Sequence, residues 1–66
     1  MIVSVNGERR ELPPHATVAS LVKDLSAPAR GVAVAIDGEV VPRGKWEVTA
    51  LADGARVEIV SAIQGG

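Results

Sequence analysis

Thr17-Val18-Ala19-Ser20-Leu21-Val22-Lys23-Asp24-Leu25 is the stretch in which the sequence declares a helix. Val18, Leu21, Val22 and Leu25 recur at i, i+3, i+4 and i+7, which places all four on one face. Thr17 stands where an N-cap is needed, and Lys23 and Asp24 fall on the opposite, solvated face. Pro13-Pro14 precedes the segment, His15-Ala16 leads into it, and Pro28 with Gly31 is expected to close it.

Everything outward from this helix has the period of strands. On the N-terminal side Met1, Val3 and Val5 alternate toward Asn6-Gly7, the dipeptide that best supplies two positive-φ positions, so Met1–Val5 and Glu8–Leu12 are expected to form a hairpin. On the C-terminal side Gly31–Ile36 reads as a strand with Val32, Val34 and Ile36 facing the core and Ala33 and Ala35 on the other face. Asp37-Gly38 is a second turn, Glu39-Val40-Val41 a short strand ended by Pro42, and Asp53-Gly54 a third turn. Arg43 to Val48 is too broken for a regular element, with Trp46 expected to fold back over the core edge. The last strand, from Arg56, points Val57 and Ile59 inward and Glu58, Val60 and Ala62 outward, and runs into Ile63-Gln64-Gly65-Gly66. The expected fold class is α+β: one helix laid across a mixed sheet of four or five strands. Residues 1–62 make the domain and 63–66 a flexible tail.

The whole chain is 66 residues, room for one domain with a small core. Seven basic residues stand against eight acidic ones, and Trp46 is the only aromatic side chain, so nucleic acid is not an expected partner. No apolar run approaches the length of a membrane span, and the expectation is a soluble cytoplasmic protein that does not engage membranes. Cysteine is absent and His15 has no partner histidine, which removes disulfides, thiol nucleophiles and a metal site from the expectations.

The scattered polar residues do not assemble a catalytic centre. Asp24, Asp37 and Asp53 occupy helix-end and turn positions and are expected to cap and turn, not to act as an acid/base pair. Gly31, Gly38, Gly44 and Gly54 are dispersed singly and give no phosphate loop. Arg43, beside Pro42, is suited equally to a partner's carboxylate or phosphate and to a backbone carbonyl of its own chain. Val60, exposed beside the tail, is a candidate docking residue together with Ala62, although single exposed apolar side chains are ordinary. Two terminal glycines suit an inert end as well as a reactive one. If reactive, the group available is the Gly66 carboxylate, ionised at neutral pH and in need of activation before acyl chemistry. Ile63 to Gly66, fully extended, span about 13–14 Å, so the domain itself must dock close to any active site the tail enters.

The segments Val41-Pro42-Arg43, Trp46, Leu51, Asp53-Gly54, Val57-Glu58-Ile59 and Gly65-Gly66 together resemble the bacterial sulfur carrier proteins of thiamin biosynthesis, a ubiquitin-like β-grasp family. The resemblance runs the length of the chain and includes the Asn6-Gly7 hairpin. It departs at Ala55, where the family usually has a second Asp after Asp-Gly, a change expected to alter a turn. The resemblance implies that the chain is a protein co-substrate and not an enzyme, and that it binds no cofactor of its own. Gly66 would be adenylated by an E1-like activating enzyme that uses ATP and Mg. It would then receive sulfur by way of a cysteine desulfurase and deliver it as a thiocarboxylate to thiazole synthase. Ile63, Gln64 and Gly65 would form the tail, with Val60, Ala62 and Arg43 meeting partners. Three other readings stay open: sulfur transfer in molybdopterin, cysteine or tRNA thiolation pathways, a ubiquitin-like modifier, or a non-catalytic β-grasp interaction domain.

Overall fold

The fold follows from four strands of mostly branched aliphatic residues, a fifth of charged ones, and a helix too short to stand alone. In the computed structural model residues 1–25 and 31–61 are described, with side-chain environments for 1–25 and 31–60. The elements are β1 (Ile2–Val5), β2 (Glu8–Glu11), α1 (Val18–Asp24), β3 (Val32–Ile36), β4 (Glu39–Val41), a 3₁₀ turn (Arg43–Lys45) and β5 (Arg56–Ser61). They form one mixed sheet in the order β2-β1-β5-β3-β4. The expected stop at Pro28 and the tail residues Ala62, Ile63, Gln64, Gly65 and Gly66 lie outside the described residues.

The two hairpins owe their tightness to paired positive φ angles. Asn6 and Gly7 have φ of 53° and 86°, and Asp37 and Gly38 have 49° and 86°, as a two-residue turn matched to the strand twist requires. The Asn6-Gly7 turn sets β1 against β2 in antiparallel register, Val5 opposite Glu8 and Ile2 opposite Glu11. Asp37-Gly38 pairs Ile36 with Glu39 and Val34 with Val41. β2, whose four residues Glu8, Arg9, Arg10 and Glu11 are all exposed, is an edge strand covered with charge. That composition discourages a further strand from adding there.

The centre of the sheet is built from the two ends of the described chain. β5 lies between β1 and β3, parallel to β1 through Ser4–Arg56 and Val5–Val57. It is antiparallel to β3 through five pairs from Val32–Ser61 to Ile36–Val57. Two turn carboxylates clamp this arrangement: Asp53 Oδ1 accepts from the Ile2 N–H at 2.7 Å, and Asp37 Oδ1 from the Arg56 N–H at 3.0 Å. The expected turn role of these aspartates is therefore observed, with each turn tied to a neighbouring strand.

α1 spans seven residues, short enough to be marginal in isolation. Its N-terminus is closed by a reciprocal box in which Thr17 Oγ1 accepts from the Ser20 N–H at 3.2 Å and Ser20 Oγ accepts from the Thr17 N–H at 2.9 Å. Val18, Leu21 and Val22 are buried and Leu25 packs partly against them, the face the spacing predicted. Beneath them lie Val3, Val5, Val34 and Val57, all but withdrawn from solvent, with Ala16, Leu12, Leu51 and Ala55 completing the core.

Two expectations change. The segment after Pro42 is not wholly irregular: Arg43–Lys45 makes a 3₁₀ turn, because Pro42 enters it extended and its carbonyl accepts from the Lys45 N–H at 2.8 Å. The turn swings Trp46 under the helix, where it is buried and its Nε1–H donates to the Val41 carbonyl at 3.0 Å. Ala55, expected to alter a turn and open to changing a partner contact, instead has its side chain buried in the core.

Leu21 is the largest side chain fully enclosed by this core. Leu21→Ala is expected to cost about 2–5 kcal/mol, against a total of about 3–10 kcal/mol for a domain of this length. Urea denaturation followed by circular dichroism should show the midpoint fall sharply or the folded baseline disappear.

Candidate functional site

With α1 covering one face of the sheet, the other face has no element on it among the described residues. By strand alternation it carries Ile2 and Ser4 from β1, Arg56, Glu58 and Val60 from β5, Ala33 and Ala35 from β3, and Val40 from β4. Register sets these side by side: Ala33 opposes Val60, while Ala35 opposes Glu58 on one side and Val40 on the other.

The two alanines give this face its shape. They form a low floor between the taller side chains of β5 and β4, and the result is a depression of about 590 Å³. Ala33, Ala35, Val40, Arg56, Glu58, Val60, Asn6 and Gly7 are among its lining residues. Val60 is 59% exposed and Val40 71%. An apolar floor with exposed valines, and Arg56 and Glu58 as its charged lining side chains, is suited to burying another protein's apolar side chains.

The strand directions fix where β5 ends. β5 runs parallel to β1 and so travels toward the Asn6-Gly7 turn. β4 also ends on that side, since β3 is antiparallel to both β4 and β5. Ser61, Asn6-Gly7 and the Pro42-Arg43 junction thus share one end of the domain.

Of the residues singled out in the sequence, Val60 stands in the depression. Arg43 does not join it. Its guanidinium carbon lies 5.8 Å from the centroid of the Trp46 ring, within cation–π range. There it lines a separate groove with Ala19, Val22, Lys23, Gly44 and Glu47 on the helix side of the sheet. The proposed partner residues Val60 and Arg43 are therefore on different faces. Ala62, Ile63, Gln64, Gly65 and Gly66 lie outside the described residues. His15 is exposed in the loop before the helix. Among the described residues no group of three or more His, Cys, Asp or Glu could hold a metal ion, and no helix is long and apolar enough to cross a membrane.

Three contributors were missed. Val40 and Glu58 became part of the depression only through register, which nothing in the local sequence specifies. Asn6 was read as a turn residue alone, yet its side chain bonds to β5, 53 positions away in the chain.

Known proteins match this arrangement along its whole length. The crystal structure of the thiamine biosynthesis protein ThiS from Geobacter metallireducens superposes with a TM-score of 0.85 at 32% identity, covering all of both chains. A solution NMR structure of a thiamine biosynthesis protein from the same organism gives 0.81 at 32% identity, covering all of this chain and 88% of that one. A thiazole synthase of Paramagnetospirillum magneticum is 38% identical over 66 residues. That alignment takes in all of this chain and 20% of the relative, so the chain spans about a fifth of the length of the protein it matches. The ThiS family model matches residues 3–66, and with the five-stranded sheet, the single packed helix and the ThiS structures in agreement, the chain belongs to the ThiS family of ubiquitin-like β-grasp proteins.

Proposed function

We propose that this chain is the sulfur carrier of thiazole formation in thiamin biosynthesis, with Gly66 as the carrying residue. The observation that carries the reading is the family match, which runs through residue 66 and so includes the Gly65-Gly66 pair together with the β-grasp domain. A thiazole synthase that contains a segment 38% identical to the whole of this chain supports that enzyme class as the recipient.

The chemistry assigned to this chain is limited to one acyl group. The sequence has no cysteine, so sulfur has no thiol side chain on which to travel, and the Gly66 carbonyl carbon is the remaining carrier. An E1-like partner that uses ATP and Mg joins the carboxylate to AMP with loss of pyrophosphate. A persulfide charged by a cysteine desulfurase then displaces AMP to form an acyl disulfide, and a second thiol attacks its S–S bond, forming a disulfide with the donor and releasing the thiocarboxylate. In thiazole synthase the thiocarboxylate sulfur attacks a substrate carbonyl carbon and is exchanged for that carbonyl's oxygen, which leaves sulfur on the substrate and returns the carboxylate. The absence of Cβ atoms at Gly65 and Gly66 suits passage through a narrow channel in each partner.

The domain's part is to dock. The short reach of the tail requires the globular body to sit against each partner's mouth, and the depression lined by Val60, Val40, Ala33 and Ala35 is the surface we assign to that contact. Ala62, assigned outward by the parity of the sequence alone, is proposed for the same contact, and Arg43 serves a contact made from the helix side. The protein acts as a co-substrate of its partners and binds no cofactor itself.

Intact mass spectrometry after incubation with ATP, magnesium, sulfide and the activating enzyme should show one oxygen exchanged for one sulfur, mapped to Gly66 and absent when Gly66 is deleted. An unchanged mass with an activating enzyme shown to be active on another carrier refutes the reading. Val60→Arg should weaken binding to the activating enzyme by about tenfold or more, the loss typical of a residue central to an interface. Because Val60 is mostly exposed, its thermal midpoint should stay within a few degrees of the parent's. Calorimetric titration beside a melting curve checks both, and unchanged affinity removes the depression from the docking surface.

A further inference from the structure

We propose that Asn6 is a positioning residue for the tail: its carboxamide replaces a missing peptide unit of β1 and holds β5 at Ile59, two residues before the strand ends at Ser61. The proposal rests on the sulfur-carrier reading for its functional consequence and on hydrogen-bond geometry for its physical basis.

The parallel ladder between β1 and β5 shows what is missing. The Ser4 N–H donates to the Ala55 carbonyl at 3.0 Å and the Asn6 N–H to the Val57 carbonyl at 2.9 Å. Continued regularly, the ladder would next present the carbonyl of residue 6 and the N–H of residue 8 to Ile59. The chain cannot present them, because positive φ angles at Asn6 and Gly7 reverse it there and Glu8 is already paired with Val5. The Asn6 side chain supplies both. Its Oδ1 accepts from the Ile59 N–H at 2.8 Å and its Nδ2 donates to the Ile59 carbonyl at 3.0 Å.

The consequence falls on the strand that leads into the tail. β3 holds β5 on one side as far as the Val32–Ser61 pair, whereas the backbone of β1 reaches only Val57. The Asn6 clasp therefore carries two-sided restraint of β5 two residues further, to the position next to Val60. Asn6 and Val60 also line the same depression, so the clasp fixes the point from which the tail departs relative to the surface assigned to docking. With the domain docked, a loosened departure point leaves binding intact and spreads Gly66 over more positions, which lowers the fraction of complexes set for reaction.

The residue type is specific to this task. Asp tolerates the same positive φ, but a carboxylate only accepts, so it would keep the Ile59 N–H bond and face the Ile59 carbonyl with like charge. Gly would preserve the turn and remove both bonds. Asn6→Asp and Asn6→Gly thus separate turn from clasp.

The test compares both variants with the parent in the full chain. For Asn6→Gly, amide hydrogen exchange by NMR should quicken about tenfold or more at Ile59 and stay unchanged at Val34, as local opening without global unfolding requires. With the activating enzyme, kcat for ATP-dependent thiocarboxylation should fall about tenfold while KM holds within about twofold, the pattern of a lost positioning interaction. The thermal midpoint should drop by no more than about 8 °C. Asn6→Asp, which keeps the acceptor for the Ile59 N–H and loses the donor to its carbonyl, should quicken exchange at Ile59 less than Asn6→Gly does and lower kcat in the same direction. Unchanged exchange at Ile59 overturns the clasp. Exchange that quickens with kcat unchanged, or a loss confined to KM, overturns its role in positioning. If the parent itself is not thiocarboxylated, the sulfur-carrier reading falls and the positioning role with it, while the exchange result still decides whether Asn6 holds Ile59.

Discussion

The parallel pairing of β1 with β5 is the contact on which the other elements depend. It joins residues about fifty positions apart, so forming it closes a long loop before any of its hydrogen bonds can stabilise the chain. Until β5 is in place the two hairpins are separate two-stranded ribbons, each marginal alone. Once it lies between β1 and β3 the hairpins become one sheet, Val3, Val5, Val57 and Val34 form a continuous apolar floor, and α1 has a surface to cover. The carboxylates of Asp53 and Asp37 each bond a backbone N–H on a neighbouring strand and consolidate this junction at the end opposite the tail.

Two features that serve function arise from the same placement. β5 as a central strand is restrained on both flanks along its first part, so the residues after it leave from a well-fixed body. Being central also puts Glu58 and Val60 in the middle of the uncovered face, beside the alanines of β3 and opposite Val40 of β4. An edge position for the last strand would have given the tail a looser root and left Val60 at the margin. The asymmetry of the fold, a helix on one face and none on the other among the described residues, thus separates stability from recognition. Large branched residues fill the covered face, and small ones shape a depression on the other.

Much of the architecture was legible because local chemistry is strong in this chain. Asn6-Gly7 and Asp37-Gly38 specify tight hairpins through their backbone angles, the period of Val18, Leu21, Val22 and Leu25 specifies a helix, and alternation separates Val57 and Ile59 from Glu58 and Val60. Arg43–Lys45 was not legible as a 3₁₀ turn, since three residues carry no period and the turn is held by Pro42 and the burial of Trp46. Ala55 was not legible as core, because a turn position gives no sign of which way a methyl group points. Arg43 was left between two roles and lies over Trp46, a contact that depends on where the indole is tucked.

The sequence by itself determined the helix and the strands, their hairpin turns, the inward and outward sides of the core strands and, through the family resemblance, the chemistry proposed for Gly66. Those properties depend on residues near one another in the chain, where backbone preference and periodicity act directly. Only the tertiary structure decided the strand order, the neighbours of Val60, the separation of Val60 from Arg43 and the bonding of Asn6 to Ile59. Each of these is a pairing between distant segments, set by the register in which β5 enters the sheet and buries its apolar side chains against the helix, and no local pattern encodes a register with a partner fifty residues away.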